Sequence, residues 1–301
     1  MPRRFVTLDV FTADALAGNP LAVVLDAEGL DDGRMQAIAR EFNLSETVFV
    51  GPSDDPRQRA GLRIFTPGRE LPFAGHPTVG TAVLLALIDR DHEPGAVAFG
   101  LKEQIGIVPC AVAVEGEGRG YARFRLPRLP ALWGEGRDPA RCAWALGLDP
   151  LEIGFERHVP SRHTAGVPYD LVPVASLEAL ARARPQGEAF EAVFGEGEHP
   201  AAYVYARRLT QGPRRFRARM FAPGLGIAED PATGSAAAAF AGALMQCEPL
   251  GEGTHDIVVE QGFEMGRPSE IELQLTIAHG ALVAAEIGGR AVVVSRGEIL
   301  L

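Results

Sequence analysis

The sequence has 301 residues, of which 47% are hydrophobic and 23% are charged, a composition typical of a soluble globular protein. Acidic residues outnumber basic ones by 39 to 29, so the net charge of −10 argues against nucleic acid and anionic membrane surfaces as partners. Three cysteines, Cys110, Cys142 and Cys247, are too few and too scattered for a disulfide framework or a zinc site. We therefore expect reduced thiols, no metal and a cytoplasmic location.

The start of the chain does not resemble an export signal. Asp9 interrupts the first segment before a signal-like apolar stretch develops, and no later segment approaches the roughly 20 apolar residues that span a bilayer. We expect neither export by such a signal nor a membrane-spanning segment.

Short segments of β-branched or apolar residues between turn signals predict strands along the first half of the chain. They cover residues 5–10, 21–25, 47–50, 62–65 and 108–114. Residues 31–42 predict an amphipathic helix, because apolar side chains recur there at helical spacing among charges. Two further predicted helices, 77–88 and 231–245, contain no charged residue and have no face suited to water. We expect each of them to be buried within a strand-rich unit.

Four short patterns recur in the same order in the two halves of the chain. The clearest pair is Pro-x-x-Gly-Thr-Ala at 77–82 and Pro-x-x-Gly-Ser-Ala at 231–236. The other pairs are 17–20 with 165–168, 48–50 with 204–206, and 63–67 with 219–223. Such collinear repeats predict a duplicated fold, although glycine and proline turn patterns also recur by chance in strand-rich proteins. The predicted lobes are residues 1–120, completed by 289–301, and residues 121–288, with a linker near 115–120.

The starts of the two predicted buried helices form a candidate site. His76 and Asp230 precede the prolines at the expected cap positions, and Gly75, Gly234 and Ser235 allow a ligand to approach the backbone closely. A buried helix start has unsatisfied N–H groups and a partial positive charge, so two converging starts would favour a small carboxylate. Two plain alternatives stay open: Asp230 as an ordinary helix cap, and His76 as a hydrogen-bonded structural histidine.

Glu46 is a candidate for proton transfer. It precedes the apolar strand at 47–50, whereas Ala202 at the equivalent position of the second repeat carries no charge. This asymmetry suggests a specialised role, although a solvated glutamate before a strand is also ordinary. At the mouth of an apolar cleft, burial would raise the pKa of this carboxyl toward the range useful for moving protons at neutral pH.

Five motifs spread over most of the chain carry a family resemblance. They are DVFT at 9–12, GNPLAV at 18–23, NLSETVF at 43–49, FAGHPTVG at 73–80 and EDPATGSA at 229–236. In order and spacing these motifs resemble the PhzF-like family of phenazine biosynthesis proteins, which are relatives of diaminopimelate epimerase by fold. The resemblance implies an α+β fold of two pseudo-symmetric, strand-rich, barrel-like lobes, each around a central apolar helix. It also implies an active site between the lobes and a homodimer.

The resemblance further implies roles for the candidate residues. By motif, Glu46 corresponds to the catalytic glutamate of the family, and His76 and Asp230 to polar residues that support it. The substrate-binding positions are Gly75, Gly234 and Ser235. In the phenazine enzyme, dihydro-hydroxyanthranilate is isomerised by removal of a proton from one carbon and its return to another. The implied partner is therefore a small carboxylate substrate, and the implied chemistry needs no metal or organic cofactor.

The residues also bear on three alternative functions. A racemase with two catalytic thiols is disfavoured, because neither helix-start motif contains a cysteine. An epimerase that does not use thiols stays open, and so does a protein that binds a small carboxylate without turnover, since binding does not require Glu46. His163 is a further candidate substrate contact, and the pair of His158 and His163 is expected to line a surface or cleft.

Overall fold

The structure is a computed structural model that describes residues 2–53, 55–197, 199–209 and 211–301. The α-helices are α1 (Asp32–Phe42), α2 (Gly75–Asp89), α3 (Pro139–Leu146), α4 (Leu177–Arg182), α5 (Glu188–Phe194) and α6 (Gly234–Cys247). The strands of the first half are β1 (Arg3–Val10), β2 (Asn19–Val24), β3 (Glu46–Gly51), β4 (Gln58–Phe65), β5 (Glu70–Leu71), β6 (Gly95–Glu103), β7 (Gly106–Gly116) and β8 (Arg119–Arg125). The later strands are β9 (Ala131–Leu132), β10 (Ser161–Thr164), β11 (Pro168–Pro173), β12 (Ala202–Arg208), β13 (Arg214–Ala222), β14 (Ile227–Asp230), β15 (Gly253–Gln261), β16 (Ser269–Ala278) and β17 (Ala281–Ile299).

The chain divides into two compact units. Unit 1 consists of Met1–Pro127 with Ile287–Leu301, and unit 2 consists of Arg128–Glu286. The predicted linker near 115–120 is wrong, because this segment is the tight turn between β7 and β8. Glu117 and Gly118 both adopt positive φ there, as a two-residue hairpin turn requires. The lobe limits inferred from the sequence stay a prediction.

Unit 1 is a closed ring of strands around a buried helix. Going round the ring, β1 is antiparallel to β2, β2 parallel to β3, β3 antiparallel to β4, and β4 parallel to β6. The antiparallel strands β6, β7 and β8 follow, and β17 pairs with both β8 and β1 to close the ring. Helix α2 packs against β1, β2, β7 and β8, and its residues from Gly75 to Leu87 are all buried. The charge-free pattern predicted this burial correctly.

Unit 2 repeats the same alternation of strand pairings. Strand β10 is antiparallel to β11, β11 parallel to β12, β12 antiparallel to β13, β13 parallel to β15, and β15 antiparallel to β16. Helix α6 takes the place of α2 and packs against β10, β11 and β16. The predicted duplication and the α+β class of two strand-rich lobes around apolar helices are therefore confirmed.

Two further features complete the description. In the described part of the chain, all three cysteines are free, and no helix is long and apolar enough to cross a membrane.

Candidate active site

In unit 1, the structure brings Glu46 and His76 together. Glu46 is the first residue of β3, which follows directly after α1 ends at the left-handed residue Asn43. His76 is the second residue of α2. Its Nε2 atom lies 3.4 Å from Glu46 Oε2, slightly beyond the usual range of an N–H···O hydrogen bond. The side chains are only 4% and 14% exposed, so the two groups face each other in an environment largely shielded from water.

The protonation state of His76 follows from its surroundings. Burial lowers the pKa of His76 to about 3, so the ring is neutral at physiological pH. The Nδ2 atom of Asn19 lies 3.3 Å from His76 Nδ1. Because an amide nitrogen can only donate, Nδ1 accepts and the ring proton lies on Nε2. His76 therefore directs an N–H group toward the Glu46 carboxylate.

The start of α2 offers further donors beside this pair. Ala74 caps the helix without a side-chain hydrogen bond, and the first N–H that bonds within the helix is that of Thr78. Because Pro77 has no N–H, the amides of Gly75 and His76 are the donors of this first turn. Together with the helix dipole, they make this end of α2 suited to a carboxylate.

A buried carboxyl group that sequence reasoning missed lies beneath the same turn. Thr78 Oγ1 is 2.7 Å from Ala74 O and 2.7 Å from Glu103 Oε1. A hydroxyl has one proton and the carbonyl only accepts, so both contacts are satisfied at once when Glu103 carries a proton and donates it to Thr78. Burial raises the pKa of Glu103 to about 8, in agreement with this arrangement. Glu103 therefore supports the α2 start as a neutral acid.

In unit 2, the predicted start of the second buried helix is wrong. Helix α6 begins at Gly234 with Thr233 at its cap position, and Asp230 is the last residue of β14. Asp230 is thus not the helix cap, although it is buried and accepts a 2.6 Å hydrogen bond from the Thr233 hydroxyl. The prediction that Pro231 is the first helical residue is therefore also wrong.

Two polar side chains from distant parts of the sequence explain the shorter helix. Gln261 Nε2 donates to Asp230 O at 2.8 Å and to Thr233 Oγ1 at 3.0 Å, and Gln261 Oε1 accepts from Thr233 N at 3.1 Å. Ser269 Oγ donates to Pro231 O at 3.1 Å. These bonds satisfy the carbonyls of Asp230 and Pro231 and the amide of Thr233, so the segment 230–233 is stable outside the helix. No sequence pattern near this segment predicts its contacts with Gln261 and Ser269.

Gly262 completes the support of this segment. Its φ of +77° favours glycine, and a Cβ atom at this position would lie 2.7 Å from Pro231 O and 2.4 Å from Arg267 O. The chain therefore needs glycine here to let the backbone after β15 approach the segment that carries Asp230.

The first turn of α6 presents the other predicted binding residues. Gly234 and Ser235 are its first two residues, and Thr233 caps the helix without a side-chain hydrogen bond to its amides. Ser235 Oγ lies 2.7 Å from the hydroxyl of Tyr169, a buried residue of β11. The amides of Gly234 and Ser235 are thus available donors at a helix start, as in α2.

The histidines of unit 2 do not lie where the sequence suggested. His163 is buried against α6, where a Cβ atom on Gly242 would lie 2.3 Å from its ring, so it is a packing residue. His158 is buried as well, 2.8 Å from Glu248 Oε1 and 3.0 Å from the Tyr205 hydroxyl. Neither lines a surface or cleft. In the described ranges, no three His, Cys, Asp or Glu side chains form a group that could hold a metal ion.

Comparison with known proteins gives a consistent result. The sequence model of the PhzC-PhzF family, described as phenazine biosynthesis-like protein, matches residues 8–297. A protein of Mesorhizobium japonicum named as an uncharacterized isomerase is 50% identical over 302 residues, covering 99% of both chains. The trans-2,3-dihydro-3-hydroxyanthranilate isomerase of Pseudomonas aeruginosa is 36% identical over 304 residues, again covering 99% of both chains.

Solved structures show the same relationship. The crystal structure of a PhzF-family phenazine biosynthesis protein from Bacillus anthracis has a TM-score of 0.86 at 26% identity and covers 100% of both chains. A hydroxyproline epimerase from Agrobacterium vitis, at 15% identity, has a TM-score of 0.65 over 99% of this chain and 91% of its own. The epimerase thus shares the fold.

Proposed function

Because the chain belongs to the phenazine biosynthesis-like PhzC-PhzF family, we propose that it is an isomerase that moves a proton between two carbons of a small carboxylate substrate. The membership confirms the resemblance found in the motifs, and the relatives named above are isomerases by name. The observation that carries the proposal is the shielded pair of Glu46 and neutral His76, 3.4 Å apart. We assign proton transfer to Glu46.

The chemistry of this pair suits a proton that is taken and then returned. When Glu46 is ionised, its Oε2 faces the Nε2–H of His76. When Glu46 has accepted a proton on Oε1, Oε2 still faces the same N–H. One tautomer of His76, held by Asn19, therefore serves both protonation states without rearrangement. Such a carboxyl group can act first as general base and then as general acid.

The proposed step is balanced without an oxidant or reductant. Glu46 removes a proton from a carbon of the substrate, and the electron pair of the broken C–H bond moves into the adjacent unsaturated system. The protonated Glu46, whose carboxyl proton can exchange with solvent, then delivers a proton to a different carbon, and a carbon–carbon double bond changes position. Amide donors at the start of a helix stabilise the negative charge that spreads toward the substrate carboxylate during this step.

The remaining site residues are assigned to binding. In unit 1, the amide of Gly75 is proposed to donate to the substrate, and His76 holds Glu46 in position. In unit 2, we assign the same binding role to the amides of Gly234 and Ser235. Asp230, whose carboxylate is oriented by Thr233, is suited to accept from an amino or hydroxyl group of the substrate. A small carboxylate suits the amide donors at the helix start of either unit.

The cellular context is proposed on the same basis. Family membership supports a homodimer, and three free cysteines fit a reducing compartment such as the cytoplasm. Light scattering of the purified protein tests the first point, with an expected mass of twice that of one chain.

A deuterium-exchange experiment tests the proposed function. We expect the protein in deuterated water to place solvent deuterium on carbon of trans-2,3-dihydro-3-hydroxyanthranilate, the compound in the name of the Pseudomonas aeruginosa relative. Glu46→Gln should reduce this exchange by about 10²-fold or more, because the amide cannot accept the proton. The matched control is Glu41→Gln, an exposed glutamate of α1, which should exchange like the unmodified protein.

The outcomes separate the remaining alternatives. Unchanged exchange in Glu46→Gln would rule out Glu46 as the base. Binding of the compound without any exchange by the unmodified protein would instead favour a carboxylate-binding protein without this turnover. Exchange that inverts one carbon without moving the double bond would favour an epimerase that uses no thiol.

A further inference from the structure

Unit 2 contains a cavity that is lined by none of the residues assigned above to proton transfer and binding. Its volume is about 620 Å³, and its wall includes Trp133, Arg162, Tyr169 and His199. Trp133 follows β9 directly, and its backbone N–H donates to Arg162 O at 2.8 Å, which places the indole-bearing residue opposite the arginine. The cavity is large enough for an organic molecule with a ring.

Two arginines and two acids line this cavity, and a third arginine behind the wall, Arg137, pairs with both acids. Arg162 Nε lies 3.2 Å from Asp170 Oδ1, but Asp170 also accepts from Arg137, at 3.0 and 3.4 Å. One carboxylate is therefore shared by two guanidinium groups. Glu196, which also lines the cavity, is mostly exposed and paired with Arg137 at 3.3 Å. A second arginine on the wall, Arg128, adds positive charge, in contrast to the acidic chain as a whole.

The terminal N–H groups of Arg162 can bind a further acceptor. Its side chain is 24% exposed, and among the residues that the structure describes, none accepts a hydrogen bond from its terminal amino groups. A half-buried guanidinium with free terminal N–H groups is suited to a carboxylate, which can accept two parallel hydrogen bonds from it.

The aromatic part of the wall favours a flat ligand. Trp133 is 53% exposed and lines the cavity, while the rings of Tyr169 and His199 pack edge to face with centroids 4.8 Å apart. An exposed indole beside an arginine offers apolar contact to a ring and charge to an acid group. Tyr169 also connects the cavity to the start of α6, through its 2.7 Å contact with Ser235.

We propose that this cavity binds a planar organic anion, with its carboxylate on Arg162 and its ring against Trp133. The anion is either the acidic end of the substrate or a separate organic acid. The site itself does not depend on the role of Glu46, because every residue named for it lies in unit 2.

Fluorine NMR provides a direct test, because the chain has only two tryptophans. In protein labelled with 5-fluorotryptophan, Trp133 reports on the cavity, and Trp144 of α3, which does not line it, is the internal control. Trp144→Phe assigns the two signals. We expect benzoate to shift the Trp133 signal saturably and leave the Trp144 signal unchanged, while uncharged benzamide, of the same shape, shifts neither.

Substitution of Arg162 tests the role of charge. Arg162→Gln should weaken the benzoate response about 10- to 100-fold, because a charge-assisted pair of hydrogen bonds is lost, and Arg162→Lys should retain part of it. The matched control is Arg182→Gln, an exposed arginine paired with the single carboxylate of Glu152. Equal responses to benzoate and benzamide, equal shifts at both tryptophans, or an undiminished response in Arg162→Gln would each overturn the proposal.

Kinetics identify the source of the anion. A higher KM for trans-2,3-dihydro-3-hydroxyanthranilate in Arg162→Gln, with unchanged kcat, would assign the cavity to the substrate. An unchanged KM, together with the loss of benzoate binding, would assign it to a separate organic acid. Glu46→Gln should keep the full Trp133 response, so failure of the catalytic proposal and failure of this one are distinguishable.

Discussion

Glu103, the neutral acid beneath the start of α2, should make the stability of the folded protein depend on pH. Glu103 is buried, and its proton satisfies Thr78, which in turn donates to Ala74 O. In the unfolded chain a glutamate loses its proton near its ordinary pKa of 4.5, whereas burial raises the folded pKa of Glu103 to about 8. Between these values the folded state holds a proton that the unfolded state has released, so folding weakens as pH rises.

The magnitude follows from the two pKa values. The stabilisation from the retained proton is fully present below pH 4.5 and is lost as pH rises through about 8. Each pH unit across this window corresponds to about 1.4 kcal/mol. Between about pH 5 and about pH 9, the free energy of unfolding should therefore fall by about 4 kcal/mol on account of this one group.

Glu103→Gln removes the titration and keeps the contact, because the amide N–H₂ can donate to Thr78 as the carboxyl proton does. We expect the variant to match the unmodified protein near pH 5 and to exceed its stability by about 4 kcal/mol near pH 9 in urea unfolding followed by circular dichroism. Glu93→Gln, an exposed glutamate of the same unit, should follow the unmodified protein throughout. Parallel pH profiles for Glu103→Gln and the unmodified protein would show that Glu103 is ionised in the fold and would refute the reasoning.

Two further predictions concern the site. Burial lowers the pKa of His76 to about 3, so the free energy of unfolding should fall as pH drops from about 6.5 toward 3. NMR of the histidine rings should show one neutral ring with its proton on Nε2 down to about pH 4. A His76 ring that titrates near pH 6 would contradict this prediction. Gln261→Ala should lower the free energy of unfolding by about 3 kcal/mol, because buried backbone groups of Asp230 and Thr233 lose their partner. A loss below about 0.5 kcal/mol in chemical denaturation would show that water replaces the side chain.

The sequence predicted the architecture well where it depends on repetition and burial. The recurrence of Pro-x-x-Gly patterns near 77 and 231 led to two units with the same succession of strand pairings. Absence of charge in two helical segments led to two buried helices. Both signals are patterns of residue types along the chain, so one sequence is enough to detect them.

Long-range contacts account for what the sequence did not predict. The start of α6 differs from that of α2 because Gln261 and Ser269, which lie 31 and 38 residues after the carbonyl groups they bind, hold the segment before it. Glu103 was missed for a different reason. It ends β6 on the same inward face as Leu101, and no strand was predicted over β6. Alternation along the strand was the available signal for its burial.

The motifs predicted which residues are candidates, but the distances between them are known only from the folded structure. Glu46 and His76 are 30 positions apart in the chain, and their 3.4 Å approach depends on how β3 and α2 lie in unit 1. The tautomer of His76 depends in turn on Asn19, which the motif includes without a stated role. The cavity beside Trp133 had no counterpart in the sequence reasoning. Its wall includes Gly166 and Pro168 of a repeated pattern, but Trp133 and Arg162 lie outside every pattern recognised there.

The last strand has a consequence for how the molecule is assembled. Residues 128–286 form unit 2 from one uninterrupted stretch, whereas unit 1 needs β17, whose residues 291–299 pair with β1 at the other end of the sequence. During synthesis on the ribosome, β1 and β8 therefore each keep one unpaired edge until β17 has emerged. Unit 1, which carries Glu46, is thus the first to be synthesised and the last to complete its ring of strands.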